Sequence, residues 1–233
     1  IASKTGLPVG VKAAIGKLDQ WEELADIMAR TGKGPDFITV DGGEGGTGAA
    51  PPSFADHVSL PWVYGFSSLY KVFQTRELTD RIVFIGSGRL GFPAKAAMAF
   101  AMGVDCINVA REAMMSIGCI QAQICHTNRC PSGVATQNKW LQQGLNVPLK
   151  SDRLAQYFKT FRKEFLEITH AAGYEHPCQF TMQDVQVNVD DTDLNRNLKS
   201  TYGYEKSQVP FDTMQELHDC MYLGGKYFQK SLE

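Results

Sequence analysis

Short apolar runs alternate with helical patterns over the first half of the chain. Residues 7–12 form the first run, and a helix follows with Asp19 as N-cap and Glu22 completing a capping box. Its apolar face is Trp21, Leu24, Ala25, Ile27 and Met28, close to helical spacing, and Gly32 and Gly34 end it. The second run is Phe37, Ile38, Thr39 and Val40, with a further helix expected around residues 64–78. The third run covers residues 81–85. Pro93 suits the first turn of the helix after it, and Gly103 suits that helix's end. The fourth run covers residues 105–109 and leads into another helical pattern. Four strand–helix units in series predict a parallel sheet in an α/β fold. In such folds the ligand site lies at the C-terminal ends of the strands. A closed (β/α)8 barrel needs eight units, usually in ~250 residues. The four units here predict either an open sheet or the second half of a barrel.

The pattern then changes. Residues 118–137 read as an irregular, cysteine-bearing segment. Residues 152–172 read as a long amphipathic helix, with Leu154, Tyr157, Phe158, Phe161, Phe165 and Ile168 as a packing face and Gly173 as its stop. A short helix is expected near residues 213–222.

The chain has 233 residues, where a domain usually takes ~100–200, so one large domain or a domain with an extension is expected. Hydrophobic residues make up 43%, charged residues 21%, and the net charge is −2. That balance excludes a generally basic nucleic-acid binder and a disordered acidic segment. No apolar run approaches the ~18 residues of a membrane span, and no stretch has the order of a signal peptide. The chain opens on Ile1 rather than Met, as a processed product or a fragment would. Six cysteines are too few for a disulfide scaffold of this length. Cys119, Cys125 and Cys130 fall together, which predicts a metal or cluster site in a reducing compartment, the cytoplasm. Cys106 is expected in the core. Cys178 and Cys220 have no neighbouring ligands, and His57, His170, His176 and His218 are scattered.

Three features carry candidate chemistry. Gly86-Ser87-Gly88-Arg89-Leu90-Gly91 follows a strand and precedes a helix, matching the G-x-G-x-x-G pattern that brings backbone N–H groups to a phosphate. A dinucleotide fold would also need an acid at the end of the next strand. Asp105 lies at its start and Asn108 toward its end, so phosphate binding is favoured over a Rossmann unit, with a plain turn as the third reading. Asp41-Gly42-Gly43-Glu44-Gly45-Gly46-Thr47-Gly48 allows close backbone approach to a flat or anionic ligand, or is a loop without one. Lys12, ending the first run, suits an electron-rich ring or a carboxylate, or else extends to solvent. The cysteines are spaced C-x5-C-x4-C with Pro131 next, which fits an iron–sulfur cluster. Zinc with His126 as fourth ligand and purely structural thiols remain open at this point.

At these motifs the chain resembles the glutamate synthase family. The residues from Asp41 to Pro51 look like the glycine-rich loop of its flavin domain. Gly118-Cys119, the residues from Cys125 to Pro131, and Gly133-Val134-Ala135-Thr136-Gln137 look like its cluster-binding segment. The resemblance covers about residues 5–140 closely, and the tail looks like the C-terminal region of shorter, stand-alone relatives.

The resemblance implies a (β/α)8 TIM-type barrel carrying FMN and a [3Fe–4S] cluster. Residues 1–117 would be the C-terminal half of the barrel, 118–150 the cluster segment and 151–233 a mostly helical extension. Cys119, Cys125 and Cys130 would be the cluster ligands. Lys12 would lie near the flavin ring. Asp41, Gly42, Gly43, Glu44, Gly45, Gly46 and Thr47 would form the loop beside it. Gly88, Arg89, Ala110 and Arg111 would hold the FMN phosphate. The implied reaction is reduction of 2-iminoglutarate, formed from 2-oxoglutarate and ammonia, to L-glutamate. Electrons would come from ferredoxin or an NAD(P)H-oxidising subunit. The N-terminal half of the barrel would be a partner, and Ile1 cannot serve as the cysteine nucleophile of a glutaminase domain, so ammonia would come from solution or another subunit. The alternative is a non-catalytic electron-transfer or assembly module that keeps the cluster. An open half-barrel exposes apolar edges and faces, so the chain alone is expected either to associate or to be unstable.

Overall fold

The computed structural model describes residues 1–44, 51, 53–54, 58–188 and 195–207. After a short helix α1 (Ala2–Thr5), the chain runs β1 (Gly10–Ala14), α2 (Asp19–Thr31), β2 (Phe37–Asp41), α3 (Trp62–Gln74), β3 (Val83–Ser87), α4 (Pro93–Met102), β4 (Cys106–Ile107) and α5 (Arg111–Ser116). The irregular segment leads to α6 (Lys139–Gln142) and α7 (Val147–Ala171). The strands β5 (Gln186–Asn188) and β6 (Asn195–Asn197) and the helix α8 (Leu198–Tyr202) follow.

The four expected strands form one parallel sheet in the order β1-β2-β3-β4. Sequential parallel order is the order inside a β/α barrel. Among the described residues β1 and β4 each have one neighbour only. The register aligns Lys12, Thr39, Ile85 and Cys106 in one row, with Ala13, Val40, Gly86 and Ile107 in the next. Successive rows point to opposite faces. One face is closed: Ile38, Val40 and Phe84 are buried against Trp62, Phe66, Tyr70 and Phe73 of α3 and Ala96, Ala99 and Met102 of α4. Phe84 meets the rings of Tyr70 at 5.1 Å and Phe66 at 6.1 Å. The other face is more open, with Lys12, Val83 and Cys106 exposed.

Several boundaries differ from expectation. Leu18, not Asp19, is the N-cap of α2, and no side chain caps it, so the capping box does not form. Asp19 and Glu22 instead place negative charge in the first turn, where the helix dipole favours it. Gly32 ends the helix in a left-handed conformation, as expected. Lys12 lies in the middle of β1 rather than at its end. Cys106 is exposed rather than core, because its row faces the open side of the sheet. α7 begins five residues earlier than expected, where Asn146 accepts from the Leu149 N–H and Pro148 occupies the first turn. Along α7 only Phe165 and Thr169 are buried, while Phe158 and Ile168 of the expected packing face are exposed. The C-terminal region, expected to be mostly helical, also contains the antiparallel pair β5–β6. The helix expected at 213–222 lies outside the described residues.

Candidate cofactor site

The C-terminal ends of β2, β3 and β4 are knitted by backbone hydrogen bonds. The Gly42 N–H donates to the Ser87 carbonyl at 2.8 Å, and the Asn108 N–H to the Gly86 carbonyl at 2.8 Å. Lys12 reaches this edge from mid-strand, its Nζ lying 3.0 Å from Asp41 Oδ2 with half of the lysine side chain exposed. Gly42, Gly43 and Glu44 follow directly, whereas Gly45, Gly46 and Thr47 lie outside the described residues. Arg89 is exposed in a left-handed conformation, φ 53°. Ala110 is the N-cap of α5 and Arg111 its first residue. Asp105 sits at the opposite edge, its Oδ2 accepting the Phe84 N–H at 2.7 Å, so it cannot serve a ribose at the ligand edge.

The glycine pattern is accounted for by packing within the chain. A Cβ on Gly86 would lie 3.0 Å from the Trp62 ring. One on Gly88 would lie 2.5 Å from Trp62 Cβ, and one on Gly91 2.6 Å from Tyr157 Oη. Trp62, 1% exposed, is the residue sequence reasoning missed. A tryptophan opening an apolar helix carries no signal that separates it from ordinary core.

The cysteine segment is irregular because its backbone repeatedly turns left-handed, at Gly118, Gln121, Gln123, Asn128 and Gly133. Those turns bring Cys119, Cys125 and Cys130 to the wall of one small pocket of about 10 Å³, shared with Ile120, Ile124 and Pro131. Cys130 is buried. Burial pushes its thiol up, but the Ser132 hydroxyl and the backbone N–H groups of Ala135, Ser132 and Val134 outweigh that and hold it below the ordinary thiol value. The Gln121 N–H donates to Cys119 Sγ at 3.4 Å. Among the described residues no three His, Cys, Asp or Glu side chains, Cys119, Cys125 and Cys130 included, gather closely enough to hold a single metal ion. Three thiols spread around a pocket, one of them ringed by N–H and O–H donors, are a donor set suited to a multi-iron cluster.

The segment is braced from both sides. Asn128 Oδ1 accepts from the Gln137 N–H at 2.6 Å and from Thr136 Oγ1 at 3.0 Å. Gln142 Nε2 of α6 donates to the Thr136 carbonyl at 2.9 Å. α7 then locks onto the sheet layer, with Phe165 against Phe100 of α4 at 5.5 Å and Tyr157 Oη donating to the Gly91 carbonyl at 2.6 Å. Burial, with the nearby Glu112 charge, pushes the Tyr157 phenol up to about 12, so it remains a donor.

A family profile described as a conserved region in glutamate synthase matches residues 4–175. The chain belongs to the glutamate synthase family. The glutamate synthase large subunit-like protein YerD of Bacillus subtilis is 40% identical over 184 residues, 79% of this chain and 35% of the relative. The ferredoxin-dependent glutamate synthase of Pyropia yezoensis is 34% identical over 184 residues, 78% of this chain and 12% of the relative. The archaeal glutamate synthase [NADPH] of Methanocaldococcus jannaschii is 33% identical over 138 residues, 59% of this chain and 27% of the relative. The chain therefore spans about a third or less of the length of these relatives. Among the described residues no helix is long and apolar enough to cross a membrane.

Proposed function

We propose that this chain is the C-terminal half of the flavin- and cluster-bearing barrel of a glutamate synthase, forming L-glutamate from 2-oxoglutarate and ammonia by way of 2-iminoglutarate. The observation that carries this reading is the lining of one pocket by Cys119, Cys125 and Cys130. When bound, FMN supplies the hydride, and a [3Fe–4S] cluster supplies the electrons that reload it.

The chain's own residues bind and orient. Cys119, Cys125 and Cys130 would ligate iron, and the donors around Cys130 Sγ lower its pKa against the effect of burial. Lys12 would offer its ammonium to an electron-rich ring or carboxylate while Asp41 balances its charge from 3.0 Å. Gly42, Gly43 and Gly88 lie at the same strand ends, and Arg89 and Arg111 would bring positive charge to a phosphate there. A second set of four strands would close the barrel over the open face bearing Lys12. The electron donor would be ferredoxin or an NAD(P)H-oxidising subunit, in keeping with the names of the relatives.

The test is anaerobic purification of wild type and Cys130→Ser, followed by iron, sulfide and flavin analysis and electron paramagnetic resonance. About three irons per chain and a three-iron signal are expected for wild type, with both largely lost in the variant. Iron-free wild-type protein after anaerobic reconstitution would overturn the reading.

A further inference from the structure

Residues 59–62, which precede and open α3, touch the C-terminal ends of three consecutive strands. The Leu60 N–H donates to the Ile15 carbonyl, just after β1, at 2.9 Å. The Leu60 carbonyl accepts the Gly43 N–H, just after β2, at 2.9 Å. Trp62 Cβ would lie 2.5 Å from a Cβ on either Gly42 or Gly88, so the two glycine loops close on the same side chain. The first turn of α3 has no cap of its own, since Pro61 is its N-cap. Glu44 supplies one from the β2 loop: its Oε1 accepts the Trp62 N–H at 2.6 Å.

Two further observations mark this spot. Ser59 holds φ 87°, a strained conformation for a residue with a side chain. The buried side-chain N and O atoms without a hydrogen-bond partner among the described residues are Glu44 Oε2, Ser59 Oγ and Trp62 Nε1, and all three belong to this device. Strain and unpaired polar atoms both cost stability, and both are concentrated where the two loops meet the start of α3.

We infer that Glu44 and Trp62 are positioning residues: the carboxylate pins the start of α3, and the indole, pinned there, sets the loops after β2 and β3 as one unit. Glu44 thus acts through Trp62 on Gly86 and Gly88, in the loop after β3. The inference rests on the proposed function only for what those loops bind.

Hydrogen–deuterium exchange on the ligand-free protein tests it, with Glu44→Ala, Glu44→Gln and Trp62→Phe. The expected result for Glu44→Ala is about tenfold faster exchange at residues 86–89 as well as 42–44, with β1 and α7 unchanged. Glu44→Gln keeps an acceptor and should return both loops to near wild-type rates. Trp62→Phe keeps the backbone bond, and a smaller ring should loosen both loops together. Faster exchange confined to 42–44 and α3, or spread evenly over the whole sheet, would overturn the inference. Should Glu44→Ala not fold, the same two patterns in Trp62→Phe decide it. FMN titration of wild type is read separately: absence of binding there would count against the flavin reading and leave the loop coupling as measured.

Discussion

Replacing Gly88 with alanine is expected to destabilise the protein by about 2–3 kcal/mol. A Cβ built there lies 2.5 Å from Trp62 Cβ and 2.8 Å from Cγ. Comfortable carbon contacts need about 3.5–4.0 Å, so the overlap is roughly 1 Å at two atoms. Trp62 cannot swing away cheaply, because it is 1% exposed, stacked on Phe66 at 5.0 Å and held at its N–H by Glu44. Overpacking of this kind costs about 1–3 kcal/mol, and the lack of an escape route places this site at the upper end. For a chain of this size the melting temperature should fall by roughly 5–10 °C. Gly16→Ala is the control: nothing lies within 4 Å of its Cβ, so it should be neutral or slightly stabilising. The assay is thermal and urea unfolding of Gly88→Ala, Trp62→Leu and the double variant. A coupling of at least about 1 kcal/mol is expected, since the smaller leucine makes room for the methyl. A loss below about 0.5 kcal/mol, or one undiminished in the Trp62→Leu background, would refute the steric argument.

Asn128→Ala removes the side-chain acceptor for Gln137 and Thr136 at a left-handed residue, φ 62°, and leaves only its carbonyl to accept from Thr136 Oγ1. It should cost about 2 kcal/mol in urea unfolding and lower the bound iron. Tyr157→Phe strips the 2.6 Å bond to the Gly91 carbonyl and should cost about 1–2 kcal/mol, read as a lower melting temperature. Burial pushes the Lys206 ammonium down to about 8, although its Nζ donates to the Cys178 carbonyl at 2.6 Å. The unfolded lysine keeps its proton to about 10.4. Between these values the unfolded state binds more protons, so this group makes stability rise with pH, and Lys206→Met should remove that slope in urea unfolding at pH 8–10.

Much of the fold was legible because strand and helix periods are local. Ile38, Val40 and Phe84 announced buried strands, and Gly103 marked the end of α4 by taking a left-handed φ of 107°. The start of α2 misled, because Asp19 and Glu22 have the right spacing for a capping box whether or not the backbone enters the helix at Leu18. Cys106 misled because an apolar run does not say which of its residues face the open side of the sheet. The cysteine spacing did not make the geometry of the segment legible. The pocket exists only through left-handed turns at Gln121, Gln123 and Asn128, residue types that do not announce them.

The sequence by itself determined the four strand–helix units, their parallel order, the glycine-rich strand ends and the trio of thiols. Each of these is written in residue types a few positions apart, where backbone sterics and hydrophobic period act directly. Only the tertiary structure decided why Gly42, Gly86 and Gly88 must be small. Trp62 stands 20 residues after Gly42 and 24 before Gly86, and it meets all three only because the sheet brings the ends of β2 and β3 side by side under the start of α3. Contacts across that distance depend on the closed chain path, which no local pattern encodes.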